Sequence, residues 1–243
     1  MTMPPEMTVS EYLHGQILES DTLEAFLNAL TRLAALELSE SGTEVLCGVT
    51  LLRHKKAGTI ASSGATAQAM DELQYDYRDG PCLTAARTQQ LVHAPDLATD
   101  VRWPDYSTVT RGHGIHSVLA IPFDLEGPDR AALNIYAGQP HWFTPERVAA
   151  ARAYADQTAQ ALQISIRLAH HHDAEHDALE AMKSRTSIDL AVGIIMGQNR
   201  CSQDDAFALL VSASNTRNIK LRDVATSMVE GIGIEEPATH FDR

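Results

Sequence analysis

The chain has 243 residues, room for one large domain or two small ones, and its 44% hydrophobic content gives it the material for a packed core. A net charge of −13 speaks against a general nucleic-acid coat. Cys47, Cys82 and Cys201 lie far apart with no CxxC spacing, which excludes a disulfide framework and fits a reduced compartment.

The start lacks a basic region followed by an apolar one, and no window holds about 18 consecutive apolar residues, so a cytoplasmic protein without a membrane span is expected. Charge is spread unevenly. Residues 1–178 carry 12 Lys/Arg against 23 Asp/Glu, whereas residues 179–225 carry 6 against 5. The second stretch alone escapes the dominance of acid.

In chain order, residues 1–9 hold two prolines and little to bury, and residues 1–20 read as an N-terminal segment with a short helix at 11–18 capped by Ser10. Leu23, Phe26, Leu27, Leu30, Leu33 and Ala34 then repeat at helical spacing over 22–38. Asp21 is the expected cap there, with Glu24 closing a capping box. Val45, Cys47, Val49 and Leu51 alternate as a half-buried strand, HKKAG (54–58) reads as a turn, and 59–63 as the returning strand. A short helix at 65–73 is followed by a break at Gly80-Pro81 and a helix at 82–88. Residues 91–93, 116–123 and 131–137 read as strands, and 100–112 as a loop and helix. Strands interleaved with helices indicate an α+β or α/β domain of sensor size.

The motifs DGPC (79–82), VHAPDL (92–97), DVRWPDY (100–106), GIHSVLAIPF (114–123) and ALNIYA (132–137) resemble the GAF domains of actinobacterial regulators. The resemblance places a GAF sensor over residues 21–166. It implies a central antiparallel sheet with helices on one side and a ligand pocket on the other. Bound groups in that family range from cyclic nucleotides to haem, tetrapyrroles and small metabolites, so a small-molecule ligand is expected and its identity, or any cofactor, is left open. Tyr75, Cys82, His93, Trp103, Tyr106, Ser117 and Asn134 are the candidate pocket residues. Cys82 could be a thiol activated at a helix start, but a small buried hydrophobe is the favoured reading.

Thr144-Pro145 starts a helix in which neither Gly nor Pro recurs before Gly193. At ~1.5 Å per residue, a helix over 145–192 would span about 70 Å. Its alternative is two helices meeting near residues 170–173. Val148, Ala151, Ala155, Thr158, Leu162, Ser165, Ala169, His172, His176 and Leu179 form a weak heptad, consistent with a connector that makes the protein a homodimer through a coiled coil. His170, His171, His172 and His176 offer a metal or pH switch, with a solvated helix face as the favoured reading and no metal expected.

Three apolar stripes follow: Met182 to Met196; Phe207, Leu210, Val211 and Ser214; and Leu221 to Ile232. Three amphipathic helices can close a small bundle. Ile188, Ala191, Phe207, Leu210, Leu221, Val224 and Ala225 are its expected core. SRTSIDLAVGIIM (184–196), QNRCSQDDAFALL (198–210) and NIKLRDVATSMV (218–229) resemble an ANTAR domain, the RNA-binding module of bacterial transcription antiterminators. The resemblance places an ANTAR domain over 171–232, with 233–243 as a flexible tail. Family members act as dimers on RNA carrying two adjacent stem-loops, under the control of upstream sensors. Relatives often carry a lysine where Val192 stands, and an arginine where Val211 and Ser212 stand. Arg185, Arg200, Arg217, Asn218, Lys220 and Arg222 are the candidate RNA contacts. No Ser-His-Asp order, P-loop or HExxH appears, so no enzyme is expected. Loss of RNA affinity, leaving a protein–protein regulator or a small-molecule sensor acting through a partner, is the alternative function.

Overall fold

The computed structural model describes residues 8–20, 22–40, 42–53, 56–77 and 79–232, with backbone alone at residue 10 and residues 56–60. The chain divides into two compact units, Met1–Ala169 and His170–Arg243. The first contains α1 (Val9–Glu19), α2 (Leu23–Leu38), β1 (Leu46–Arg53), β2 (Lys56–Ser62), α3 (Ala65–Tyr77), α4 (Pro81–Thr88), β3 (Val92–Ala94), α5 (Pro104–Gly112), β4 (Ser117–Pro122), β5 (Arg130–Ala137) and the start of α6 (Pro145–Asn199). Its five strands form one antiparallel sheet in the order β2-β1-β5-β4-β3.

Strand alternation divides the interior in two. Cys47, Val49, Leu51, Leu119, Leu133 and Ile135 face one way and meet Phe26 and Leu30 of α2 and Ala151, Ala155 and Leu162 of α6. Val118, Ala120, Ala132 and Tyr136 face the other way and meet Met70 of α3, Cys82 and Ala86 of α4 and Tyr106 of α5. Helices therefore cover both faces of the sheet, where the resemblance implied one.

The caps differ from expectation by one or two residues. Thr8, not Ser10, caps α1: its hydroxyl accepts from Glu11 N–H at 3.2 Å while the Glu11 carboxylate accepts from Thr8 N–H at 2.9 Å. Thr22 caps α2 by accepting from Ala25 N–H at 3.1 Å, and the predicted cap Asp21 lies outside the described residues. So do His54 and Lys55 of the predicted turn, with β2 already under way at Lys56, and so does the tail 233–243.

The weak heptad has another partner. Ala151, Ala155, Thr158, Leu162 and Ser165 are all buried, between 0% and 6% exposed, and Val148 packs against the same core. These positions cover the unit's own sheet and α2. They are not open to a second chain.

In the second unit the final turns of α6 pack with α7 (Gln203–Arg217) and α8 (Leu221–Glu230). Helix α6 passes Gly193, where the expected helix over 145–192 ended, continues through Gly197 and ends at Asn199, with Arg200 left-handed at φ 53°. Ser202 then caps α7, accepting from Asp205 N–H at 3.2 Å. The core consists of Ala191, Val192, Ile195, Ala206, Leu210, Val224, Ala225 and Val229, with Ile188 and Leu221 half-buried at its margin. Phe207, expected inside, is 43% exposed. The buried line of α7 is Ala206, Leu210 and Ser214 at spacing i, i+4, i+8, and Phe207 stands ~100° round the helix from Ala206. Val192 is 5% exposed, so its apolar side chain is what this core requires.

Candidate functional site

The side of the first unit's sheet under α3–α5 carries an unusual polar group. Asp71 of α3 is fully buried, and its Oδ1 accepts from Tyr136 Oη at 2.5 Å and from Asn134 Nδ2 at 2.6 Å. Asn134 Nδ2 also donates to Thr50 Oγ1 at 3.0 Å, and Cys82 Sγ lies 3.3 Å from Tyr136 Oη. Asp71 Oδ2 has no hydrogen-bond partner among the described residues. It lies against Gly48 of β1, where a Cβ would stand 2.0 Å from it. Burial pushes the Asp71 carboxyl up to about 7, with the bonds from Tyr136 and Asn134 opposing the rise. Burial likewise holds the Cys82 thiol well above its ordinary range, so it is no activated nucleophile.

The motif loops hold this interior in place. Gln74 Oε1 accepts from Cys82 N–H at 2.8 Å and so satisfies a free amide at the start of α4. Gly80 lets that side chain approach, because a Cβ there would lie 2.4 Å from Gln74 Oε1. Trp103 Nε1 donates to Asp79 Oδ1 at 3.2 Å and joins the two loops. Arg102 stacks 4.4 Å over the Trp103 ring, pairs with Asp100 at 2.6 Å and donates to the His93 carbonyl at 2.7 Å.

Of the predicted pocket residues, Cys82, Trp103, Tyr106 and Asn134 come together on this side, and Tyr75 of α3 is half-buried beside them. His93 and Ser117 do not join them. Each is one position out of phase with the strand residues facing α3–α5, so each points to the opposite face. His93 meets Phe143 edge-on at 6.0 Å, and Ser117 Oγ donates to Gln139 O at 2.8 Å. Sequence reasoning missed Asp71, Gln74 and Tyr136. Tyr136 had a usable signal, since it shares the phase of Asn134; an acid and an amide within an amphipathic helix read as solvent-facing.

The second unit sorts the predicted cationic residues into two places. Glu180, Lys183, Ser184 and Ser187 of α6 and Arg222, Asp223 and Thr226 of α8 line one groove of about 280 Å³. Arg217, Asn218 and Lys220 form the adjoining α7–α8 turn, and Arg185 is on the same stretch of α6. Arg200 stands at the other end of α7, whose 15 residues at ~1.5 Å each put about 22 Å between the two turns. Acids accompany it there, with Asp204 and Asp205 in the first turn of α7. Within the larger group Arg222 pairs with Asp223 at 3.2 Å, Lys183 with Glu180 at 3.3 Å and Arg185 with Asp189 at 3.8 Å. Arg217 and Lys220 are exposed and have no ion pair among the described residues. His172 and His176 are exposed, and no group of three or more metal-ligating side chains occurs among the described residues.

The chain is similar to several solved structures of low identity. They include the N-acylhomoserine lactone dependent LuxR family transcription factor CepR2 from Burkholderia cenocepacia, at 11% identity over 67% of this chain and 96% of that one, with a TM-score of 0.49. The GAF domain of a phosphoenolpyruvate-protein phosphotransferase from Coxiella burnetii matches at 16% identity over 68% and 94%, with a TM-score of 0.47. A type II free methionine-R-sulfoxide reductase from Thermoplasma acidophilum matches at 18% identity over 58% and 94%, with a TM-score of 0.43. No curated protein gives a match. No described helix is long and apolar enough to cross a membrane. The GAF domain family model matches residues 20–163, more than half of the chain, and the ANTAR domain family model matches residues 176–229. The chain therefore belongs to the GAF family, carries an ANTAR domain after it, and is a GAF-ANTAR regulator.

Proposed function

We propose that this protein is a signal-responsive transcription antiterminator, in which the GAF domain controls how two ANTAR domains bind RNA with paired stem-loops. The observation that carries this reading is the gathering of Lys183, Arg185, Arg217, Lys220 and Arg222 at one end of the ANTAR helices, in a chain otherwise rich in acid. Lys220 and Arg222 also flank the start of α8, where free amides favour phosphate. A net surplus of few charges per domain makes pairing of two copies necessary for tight binding, because phosphate neutralisation sets affinity. The GAF domain acts as a sensor and not as an enzyme, in keeping with its buried, high-pKa thiol, and the protein works in the cytoplasm.

Binding of the full chain to an RNA with two adjacent stem-loops, measured by fluorescence anisotropy, tests the reading. Affinity at least tenfold above that for either single loop is expected, with a steep loss on adding salt. Equal affinity for one loop and two overturns it. A second reading, a regulator that binds protein, draws on the exposed Phe207 and Leu209 of α7, 43% and 52% accessible. Capture of a protein by a chain that ignores RNA would favour it.

The homodimer belongs to the same proposal, with its location changed. The positions 148–165 are used inside the GAF core, whereas Leu179, Met182 and Leu190 of α6 are 50%, 39% and 38% exposed and lie on one helix face at i, i+3 and i+11. That face is the expected seam between copies. Leu179→Glu with Met182→Glu is expected to turn the dimer into a monomer in light scattering, with its circular dichroism unchanged. A monomeric parent chain, or a doubly substituted dimer, refutes the seam.

A further inference from the structure

We propose that the GAF domain senses protons through Asp71, whose ionisation loosens α3 from the sheet. The geometry isolates this carboxyl. Its Oδ1 takes both available donors, its Oδ2 abuts the Gly48 backbone, and no Lys, Arg or His pairs with it among the described residues. The titratable groups facing it are Tyr136 of β5, Cys82 of α4, Tyr106 of α5, and Glu72 and Tyr75 of α3 itself, and Cys47 of β1 lies within its electrostatic reach on the opposite face of the sheet. The described side chains of β2, Ala61 and Ser62, carry no charge. Burial raises the pKa of both cysteines and all three tyrosines, so those five stay neutral near pH 7, and Glu72 adds a like charge. Among the described residues, Asp71 is the group left to change charge in this interior near neutral pH.

The sign follows from linkage. With α3 packed, the carboxyl holds its proton up to about pH 7; with α3 released into water, it regains its ordinary value of 3.8. Opening therefore becomes about tenfold more favourable for each pH unit between those limits and levels off above the upper one. Acidification closes the domain, and neutral or alkaline pH frees it.

Hydrogen exchange of the α3 amides in the full chain, corrected for the intrinsic rate, reads this directly. Protection is expected to fall about tenfold per unit between pH 5 and 7 and then flatten, and Asp71→Asn is expected to abolish the slope. A wild-type profile without slope, or the same slope in Asp71→Asn, overturns the proposal. Infrared titration of the buried acid carbonyl band gives a second measure should Asp71→Asn fail to fold. Tyr136→Phe removes a donor that favours the anion, so it is expected to raise the midpoint; a band that titrates in the ordinary carboxylate range, or is unmoved by Tyr136→Phe, overturns the assignment. The regulatory consequence rests on the antiterminator reading and is measured separately, as RNA affinity of the wild type and Asp71→Asn at pH 6 and 8. A slope in exchange without any difference in RNA affinity sinks the sensor coupling and leaves the proton site standing.

Discussion

Gly48→Ala is expected to destabilise the GAF domain by about 3–9 kcal/mol, enough to leave much of it unfolded at 37 °C. Gly48 sits on β1, an interior strand, opposite Asn134 of β5. An added Cβ would lie 2.0 Å from Asp71 Oδ2 and 3.0 Å from its Cγ, far inside contact distance. The strand cannot retreat, being hydrogen-bonded on both sides to β2 and β5. The carboxyl cannot retreat without losing Tyr136 and Asn134, which hold it at 2.5 and 2.6 Å. Overpacking costs about 1–3 kcal/mol and each buried partner left unsatisfied about 1–3 more. Thermal melts of the single substitution and of Gly48→Ala with Asp71→Ala check the cause. The double substitution is expected to recover part of the loss, since it removes the colliding atoms. A fully additive pair would show that the damage of Gly48→Ala lies elsewhere.

That collision marks the boundary of what was legible in the chain. Strand phase was plain: Cys47, Val49 and Leu51 do share a face, as their alternation indicates. It was not applied to His93 and Ser117, each of which lies one residue from a position facing α3–α5. Asp71 was hidden for another reason. An acid in a helix reads as solvent-exposed unless its partners are known, and Gly48, Asn134 and Tyr136 come from strands more than 20 positions away in sequence. The stripe from Ala151 to Ser165 was visible but its partner was not, because a period near 3.5 fits a sheet surface as well as a second helix. Phe207 was misplaced by its apolar spacing with Leu210, Val211 and Ser214, since a small bundle admits only a narrow line from each helix. Arg200 shows the same limit in space: it is near Arg217 in sequence, yet a whole helix separates the two.

That separation makes the largest expected change in RNA binding specific to one end of the ANTAR domain. Arg217→Glu with Lys220→Glu reverses the two cations of this cluster that have no ion pair among the described residues, without touching the core of Ala191, Leu210 and Val224. Affinity for dual stem-loop RNA is expected to fall by a hundredfold or more, about 2.7 kcal/mol or above. The slope of log affinity against log salt is expected to shrink by about 1 for each phosphate that is no longer neutralised, on both copies of a dimer. Arg200→Gly is the matched control. Arg200 adopts φ 53°, a left-handed conformation that glycine takes without steric cost, so this substitution should stabilise the fold by up to about 1 kcal/mol. Its effect on RNA affinity is expected to stay within threefold, because Asp204 and Asp205 stand in the first turn of the helix that follows it and the cationic cluster lies about 22 Å off. Should Arg200→Gly weaken binding as much as the double reversal, the RNA would have to touch both ends of α7, and the interface would extend along the helix instead of across the α7–α8 turn.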